Sequence, residues 1–234
     1  MRMRLSFIYL PLVLASKASA VVVASYTFLD GNITSGDGHA GTVAGSFSLS
    51  GGTAAGTDPQ SGFSSSTDQP YIRTLSLTSS KVSAIAEDDY FAFTLTPDTG
   101  GQVPLSQLRF SFGGSNLSNG SAPGDDYTAF VAVQAQVGSG AFFDVGSPIS
   151  RAVPYIANSE PQLDPFSIDL AGVPELQNAT EAVTFHFYLY SSVSHDGKIV
   201  RMDNVVLDTV PEPSIALLAV AGGALALGRR RSRA

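Results

Sequence analysis

Val183-Thr184-Phe185-His186-Phe187-Tyr188-Leu189-Tyr190 is the stretch whose periodicity decides the fold. In a strand, successive side chains point to opposite faces, so Val183, Phe185, Phe187 and Leu189 line one face. Thr184, His186, Tyr188 and Tyr190 line the other. The same alternation recurs in Phe91/Phe93/Leu95 and in Leu108/Phe110/Phe112. Such Phe-rich faces predict the packed interior between two sheets. Working outward, short alternating runs bounded by turn residues predict strands over Val22–Phe28, Thr42–Leu49, Tyr71–Leu77, Tyr90–Thr96 and Leu105–Gly113. Tyr127–Val137 and Ala141–Ile149 follow, joined by a hairpin turn at Gly138-Ser139-Gly140. Phe166–Leu170, Ala182–Ser192 and Ile199–Asp208 complete the set. Gly51–Thr67 and Gly113–Asp126 read as long polar loops. No convincing amphipathic helix interrupts them. The expected fold class is all-β: a two-sheet antiparallel β-sandwich of the jelly-roll type. An immunoglobulin-like sandwich shares the periodicity but has fewer strands.

The two ends of the chain read differently. Met1–Arg4 is basic, Leu5–Ala15 is almost wholly apolar, and Ala18-Ser19-Ala20 has the small-x-small form of a cleavage site. Roughly 11 apolar residues suit a signal peptide and fall short of the about 20 that span a bilayer. Residues 1–20 are therefore expected to be removed by signal peptidase after Ala20. A buried N-terminal strand would leave the basic start and the Ala-Ser-Ala site as coincidences. At the other end Ile215–Leu227 is apolar and Arg229-Arg230-Arg231-Ser232-Arg233 follows at once, the pattern of a positive-inside flank. As a helix, residues 215–228 would reach about 21 Å, against about 30 Å of hydrocarbon. With Gly222-Gly223 inside it, this single apolar helix suits a transient, processed stop in the inner membrane; a short permanent anchor is the alternative.

Residues 21–209 lie between these ends, about 190 residues and enough for one domain without covalent staples. They hold six of the 13 Lys+Arg and nineteen of the 20 Asp+Glu, a net charge of −13. So acidic a domain repels phosphate, which argues against nucleic acid as a partner. The chain has no cysteine, which removes disulfides, thiolate metal sites and cysteine nucleophiles together.

Val210-Pro211-Glu212-Pro213-Ser214, an apolar run and a basic cluster occur in that order over residues 210–234. This arrangement resembles the PEP-CTERM sorting signal. The resemblance implies recognition by an exosortase-type protease of a Gram-negative bacterium, processing near Val210–Pro213, and delivery to the cell surface or an exopolysaccharide-rich matrix. A second likeness covers Phe185–Tyr190, a polar turn, and Ile199-Val200-Arg201-Met202-Asp203-Asn204-Val205-Val206-Leu207. It looks like the closing strand pair of galactose-binding-like or carbohydrate-binding jelly rolls.

Three kinds of site follow. Asp30-Gly31-Asn32 with Asp37 offers hard oxygen ligands on a glycine-permitted loop, although it fails the EF-hand spacing. In related jelly rolls a structural calcium often sits where the first and last strands meet, which would combine Asp30 with Asp203 or Asp208; the plainer reading is a solvated turn. For sugar, Thr184, His186, Tyr188 and Tyr190 form one strand face, to which Gln107 and Arg109, Gln134 and Gln136, or Arg201 would be added from neighbouring strands. Tyrosine pairs a flat apolar body with a polar tip, and amides and guanidinium groups bond hydroxyls and carboxylates. The chain has no Trp, and an ordinary solvent-facing sheet surface would look similar. For catalysis, Glu87-Asp88-Asp89 supplies carboxylates, but adjacent residues point apart. His186 and His195, each with a tyrosine, would suit acid–base chemistry, yet His195-Asp196-Gly197 reads more simply as a hairpin turn. His39 sits in a Gly-rich loop without a spaced second ligand.

The sequence therefore points to an exported, non-enzymatic cell-surface or matrix protein associated with secreted polysaccharide. A carbohydrate-binding module with a defined sugar site is the alternative, and a polysaccharide-degrading enzyme the third reading.

Overall fold

The computed structural model describes residues 20–29, 32–36, 39–50, 62–64, 69–73, 80–86, 88, 90–116, 126–155, 162–193 and 198–210. The signal-peptide residue Ala18, the sorting residues Pro211, Glu212 and Pro213, the apolar run 215–228, Asp30 and His195 lie outside them. In chain order the strands are β1 (Val22–Tyr26), β2 (Thr42–Ala44), β3 (Ser48–Ser50), β4 (Gly62–Ser64), β5 (Gln69–Arg73) and β6 (Tyr90–Pro97). They continue with β7 (Leu105–Asn116), β8 (Tyr127–Val137), β9 (Phe143–Asp144), β10 (Ile149–Val153), β11 (Gln162–Asp169), β12 (Val183–Ser191) and β13 (Lys198–Thr209). Two short helices, α1 (Lys81–Ala86) and α2 (Pro174–Gln177), interrupt them.

All pairings are antiparallel and divide into two sheets. Sheet A runs β11-β7-β13-β5-β4, with β1 also on β13; sheet B runs β10-β8-β12-β6-β2, with β3 on β6 and β9 on β8. The result is the expected all-β, jelly-roll-like sandwich. Its interior follows the alternation of β12: Val183, Phe185, Phe187 and Leu189 are buried, together with Phe91, Phe93, Leu95, Leu108, Phe110 and Phe112. Tyr26, Phe28 and Phe47 join Phe93 and Phe187 in one aromatic cluster, with ring centroids such as Tyr26–Phe47 5.2 Å apart. Burying such rings is the largest apolar contribution in a core of this kind, about 1.5–3 kcal/mol each.

Two devices tie the sheets together. The Tyr127 hydroxyl of sheet B crosses the core and shares its one proton between the backbone carbonyls of Ile199, at 2.6 Å, and of Ser115, at 3.2 Å, in sheet A. It passes where a side chain on Gly114 would stand, so glycine is required there. Arg151 of β10 donates its Nε to Asp164 of β11 at 2.5 Å, joining the two edge strands.

Strand β13 contains the main irregularity. Asp203 pairs with Ser111 and Val206 with Arg109, so Asn204 and Val205 together face Phe110. This is a β-bulge, and its extra residue, Asn204, has φ 50°. Asparagine tolerates the left-handed region better than most residues with a side chain. The bulge resets the alternation: Val200 and Met202 face the core before it, Val205 and Leu207 after it.

Several expectations are corrected. Thr42–Leu49 is two strands, because Gly45–Phe47 leave the ladder. Ala141–Ile149 breaks at Gly146, with φ 75°, and a separate strand begins at Ile149. The Gly51–Thr67 loop contains β4. The final two strands are not paired with each other: β12 lies in sheet B and β13 in sheet A, and His195-Asp196-Gly197 lies outside the described residues. The first and last strands do meet, with Val22 opposite Asp208.

Candidate functional site

The residues expected to form one sugar face divide between the outer faces of the two sheets. Gln134, His186, Tyr188 and Tyr190 belong to β8 and β12 of sheet B. Arg109 and Arg201 belong to β7 and β13 of sheet A, on the other side of the core. They cannot act on one ligand unit.

On sheet B the expected open face is covered. His186, Tyr188 and Tyr190 are only 8%, 3% and 6% exposed. Tyr188 and Tyr190 pack with Ala132 of β8 and Ala84 of α1, and Ile85, Tyr90 and Phe130 close over them. The His186 ring lies flat on Tyr90, 3.6 Å between centroids and 12° from parallel, with Phe142 against it at 4.1 Å. Tyr190 stacks on Phe130 at 5.0 Å. Burial lowers the His186 pKa to about 4 and raises that of Tyr188 to about 12. These rings are spent on one another and have no free face for a sugar.

Helix α1 is held over this cluster by local chemistry. Ser80 caps it, its Oγ accepting from the Ser83 N–H at 3.3 Å. Lys81 donates to Asp144 at 2.5 Å, and Asp144 also accepts from Gln134 Nε2 at 2.9 Å. Gln134 thus works as a strut for β9. Of the acidic triplet only Asp88 is among the described residues; with φ 55°, it closes α1 through its N–H to the Ile85 carbonyl.

The outer face of sheet A is different. A groove of about 350 Å³ runs across β11, β7 and β13, lined by Arg109, Phe110, Ser111, Pro165, Phe166, Ser167, Asn204 and Val206. Arg109, Ser111, Pro165, Ser167 and Val206 are the positions that alternate with core residues, and Asn204 is the extra residue of the bulge. Arg109 is clamped at one end: its Nε and Nη2 donate to the two carboxylate oxygens of Asp208 at 2.8 and 3.0 Å. The hydroxyls of Ser111 and Ser167 and the Asn204 side-chain amide make no hydrogen bond among the described residues. A volume of this order suits a small ligand or one unit of a polymer.

Arg201 lies deeper on this sheet, 7% exposed, and its Nε donates to Ser115 Oγ at 2.9 Å. It is a structural residue. The expected calcium site fits poorly at Asp208, whose two oxygens are already taken by a guanidinium. Asp203 Oδ1 accepts the Asn204 N–H at 2.7 Å. Among the described residues no three His, Asp or Glu side chains gather as metal ligands. His39 Nδ1 accepts from the Gly41 N–H at 3.2 Å and shapes its own turn.

Of the groove residues, sequence reasoning singled out only Arg109. The signal for the others was present: Ser111 is the outward partner of Phe110/Phe112, and a polar Asp203-Asn204 pair inside an apolar strand marks a bulge.

No protein-family model matches the chain, and no curated protein matches it. Among solved structures it is similar to the K1 cleaved adhesin domain of Lys-gingipain from Porphyromonas gingivalis W83, at 14% identity and a TM-score of 0.34, covering 78% of this chain and 95% of that one. It is also similar to the CBM22-1 xylan-binding domain of Paenibacillus barcinonensis Xyn10C, at 11% identity and a TM-score of 0.31, covering 84% and 99%. The sandwich assignment rests on the strand register and not on these likenesses.

Proposed function

We propose that this chain is an exported, non-enzymatic cell-surface or extracellular-matrix protein that holds secreted polysaccharide in the sheet A groove. Residues 1–20 direct export and are removed by signal peptidase after Ala20. Residues 210–234, through Val210-Pro211-Glu212-Pro213 and the apolar run 215–228, pass transiently through the inner membrane to an exosortase-type protease.

The observation that carries the binding reading is the groove itself. Hydroxyl and amide groups with unspent hydrogen-bonding capacity lie beside the apolar surfaces of Pro165 and Val206. That mixture matches a sugar ring, which presents hydroxyls at its rim and C–H bonds on its faces. Among the described residues that line the groove there is no carboxylate and no imidazole, the groups that general acid–base cleavage of a glycosidic bond uses.

The test is made in the producing cells. Full-length chain and a variant lacking residues 210–234 are expressed, and the mature termini are read by mass spectrometry of surface, matrix and membrane fractions. The expected mature protein begins at Val21, ends near the Val-Pro-Glu-Pro motif and fractionates with the exopolysaccharide; the truncated variant does not reach the surface. Full-length protein retained in the cytoplasm with Met1 intact would overturn the reading.

A further inference from the structure

We infer that the groove selects a neutral saccharide unit and rejects a uronate. The inference rests on the polysaccharide reading above and adds the class of sugar.

Arg109 is the one charged side chain among the described residues that line the groove. A free guanidinium would make this an anion site, since its fork matches a carboxylate with two parallel bonds. Here the Nε/Nη2 edge of that fork is already filled. Both oxygens of Asp208 accept from Nε and Nη2, and the Asp208 side chain is 7% exposed while that of Arg109 is 47% exposed. A uronate taking that edge would have to displace a largely buried carboxylate from its partner, leaving that charge unpaired, and one bonding the remaining Nη1 donors would meet a guanidinium that Asp208 already neutralises. The pair is neutral as a unit, so it offers an incoming anion little net attraction.

Three further cations are engaged elsewhere. Lys81 is bound to Asp144, Arg151 to Asp164, and Arg201 donates to buried Ser115. The surrounding domain carries six basic against nineteen acidic residues, a net of −13, and repels polyanions at long range.

The remaining polar groups fit neutral hydroxyls. The Oγ atoms of Ser111 and Ser167 each donate and accept, and the Asn204 amide supplies two donors and an acceptor. A sugar hydroxyl also does both, so each pairing can be satisfied in either direction. Asn204 owes its place to the bulge, which puts an extra side chain beside the groove where a regular strand would have none.

The experiment titrates the full chain with cellohexaose, xylohexaose and mannohexaose, and in parallel with hexamers of galacturonate and mannuronate. Affinity is read by calorimetry and location by backbone amide shifts. The expected result is binding of at least one neutral hexamer, with both uronates weaker by about tenfold or more, which is about 1.4 kcal/mol. Shifts should gather at residues 109–111, 165–167 and 204–206. Asp208→Asn removes the charge that neutralises Arg109 while nearly keeping side-chain shape, and should raise uronate affinity by about tenfold.

Tighter binding of either uronate than of every neutral hexamer by the wild-type chain would overturn the inference. So would shifts confined to residues 130–144 and 186–190, or a folded Asp208→Asn variant with no gain for uronates. If that variant does not fold, the wild-type titrations and their amide shifts decide alone. Absence of binding to all five hexamers would sink the polysaccharide reading itself, and the selectivity with it.

Discussion

The outer faces of the two sheets are built from the same strand alternation and end in opposite conditions. On sheet B the outward positions of β12 are His186, Tyr188 and Tyr190, which α1, Tyr90, Phe130 and Phe142 cover. On sheet A the outward positions of β7 and β11 are Arg109, Ser111, Pro165 and Ser167, and they line a groove. The lesson is that large aromatic residues on an outward face attract cover, because each removes 150–250 Å² from water when it packs. Small polar residues gain little from being covered and stay available to a ligand. The most sugar-like residues by type are therefore structural, and the plainest ones form the candidate site.

The largest expected effect breaks or keeps this contrast directly. Tyr188→Ala removes a buried ring from the sheet B cluster and should cost about 3 kcal/mol in urea denaturation. Ser167→Ala, in the groove, should change stability by less than about 0.5 kcal/mol. Comparable losses from both would mean that the two faces are equally structural.

A pH titration sharpens the same contrast. The His186 pKa is lowered from 6.5 to about 4 by burial, with Asp88 opposing the shift, so the folded state keeps the ring neutral while the unfolded chain takes up a proton. The unfolded state thus binds more protons between these values, and stability falls with falling pH across that window and levels off below it. The loss should be on the order of 1–2 kcal/mol, discounted for solvent reaching the cluster rim. Asp144 and Asp164, whose pKa values are lowered by Lys81 and Arg151, act only below their ordinary 3.8. His186→Phe keeps a flat ring against Tyr90 and should flatten the slope between pH 6.5 and 4; an unchanged slope would assign it to another group.

The smallest effect concerns the bulge. Asn204→Gly keeps the left-handed backbone and should leave the melting temperature nearly unchanged, whereas Asn204→Ala should cost about 1 kcal/mol. Both remove the amide from the groove and should weaken binding of a neutral hexamer alike. Equal stability of the two variants would show that the φ of 50° is not what this position is selected for.

Much of the fold was legible because strand periodicity is a local property. Phe91/Phe93/Leu95, Leu108/Phe110/Phe112 and Val183/Phe185/Phe187/Leu189 announce their buried face within a few residues, and all are buried. The hairpin at Gly138–Gly140 was legible for the same reason: Gly138 takes φ 56°, and β8 and β9 pair across it. Helix α1 escaped notice because six residues carry too little period, although Ser80 was a capping signal in plain view. The sugar face was misread at a different level. Alternation says which side of a strand a residue takes, but not whether something lies on top of that side.

By itself, then, the amino-acid sequence determined the acidic, cysteine-free composition, the two distinctive ends, the all-β class and the identity of the core, since each depends on neighbours along the chain. Tertiary structure alone decided that β12 and β13 lie in opposite sheets, which separates Tyr188 from Arg109. It also decided that Asp208 pairs with Arg109 across 99 positions of chain. Those are long-range pairings, set by which strands pack together, and no local pattern of residues encodes them.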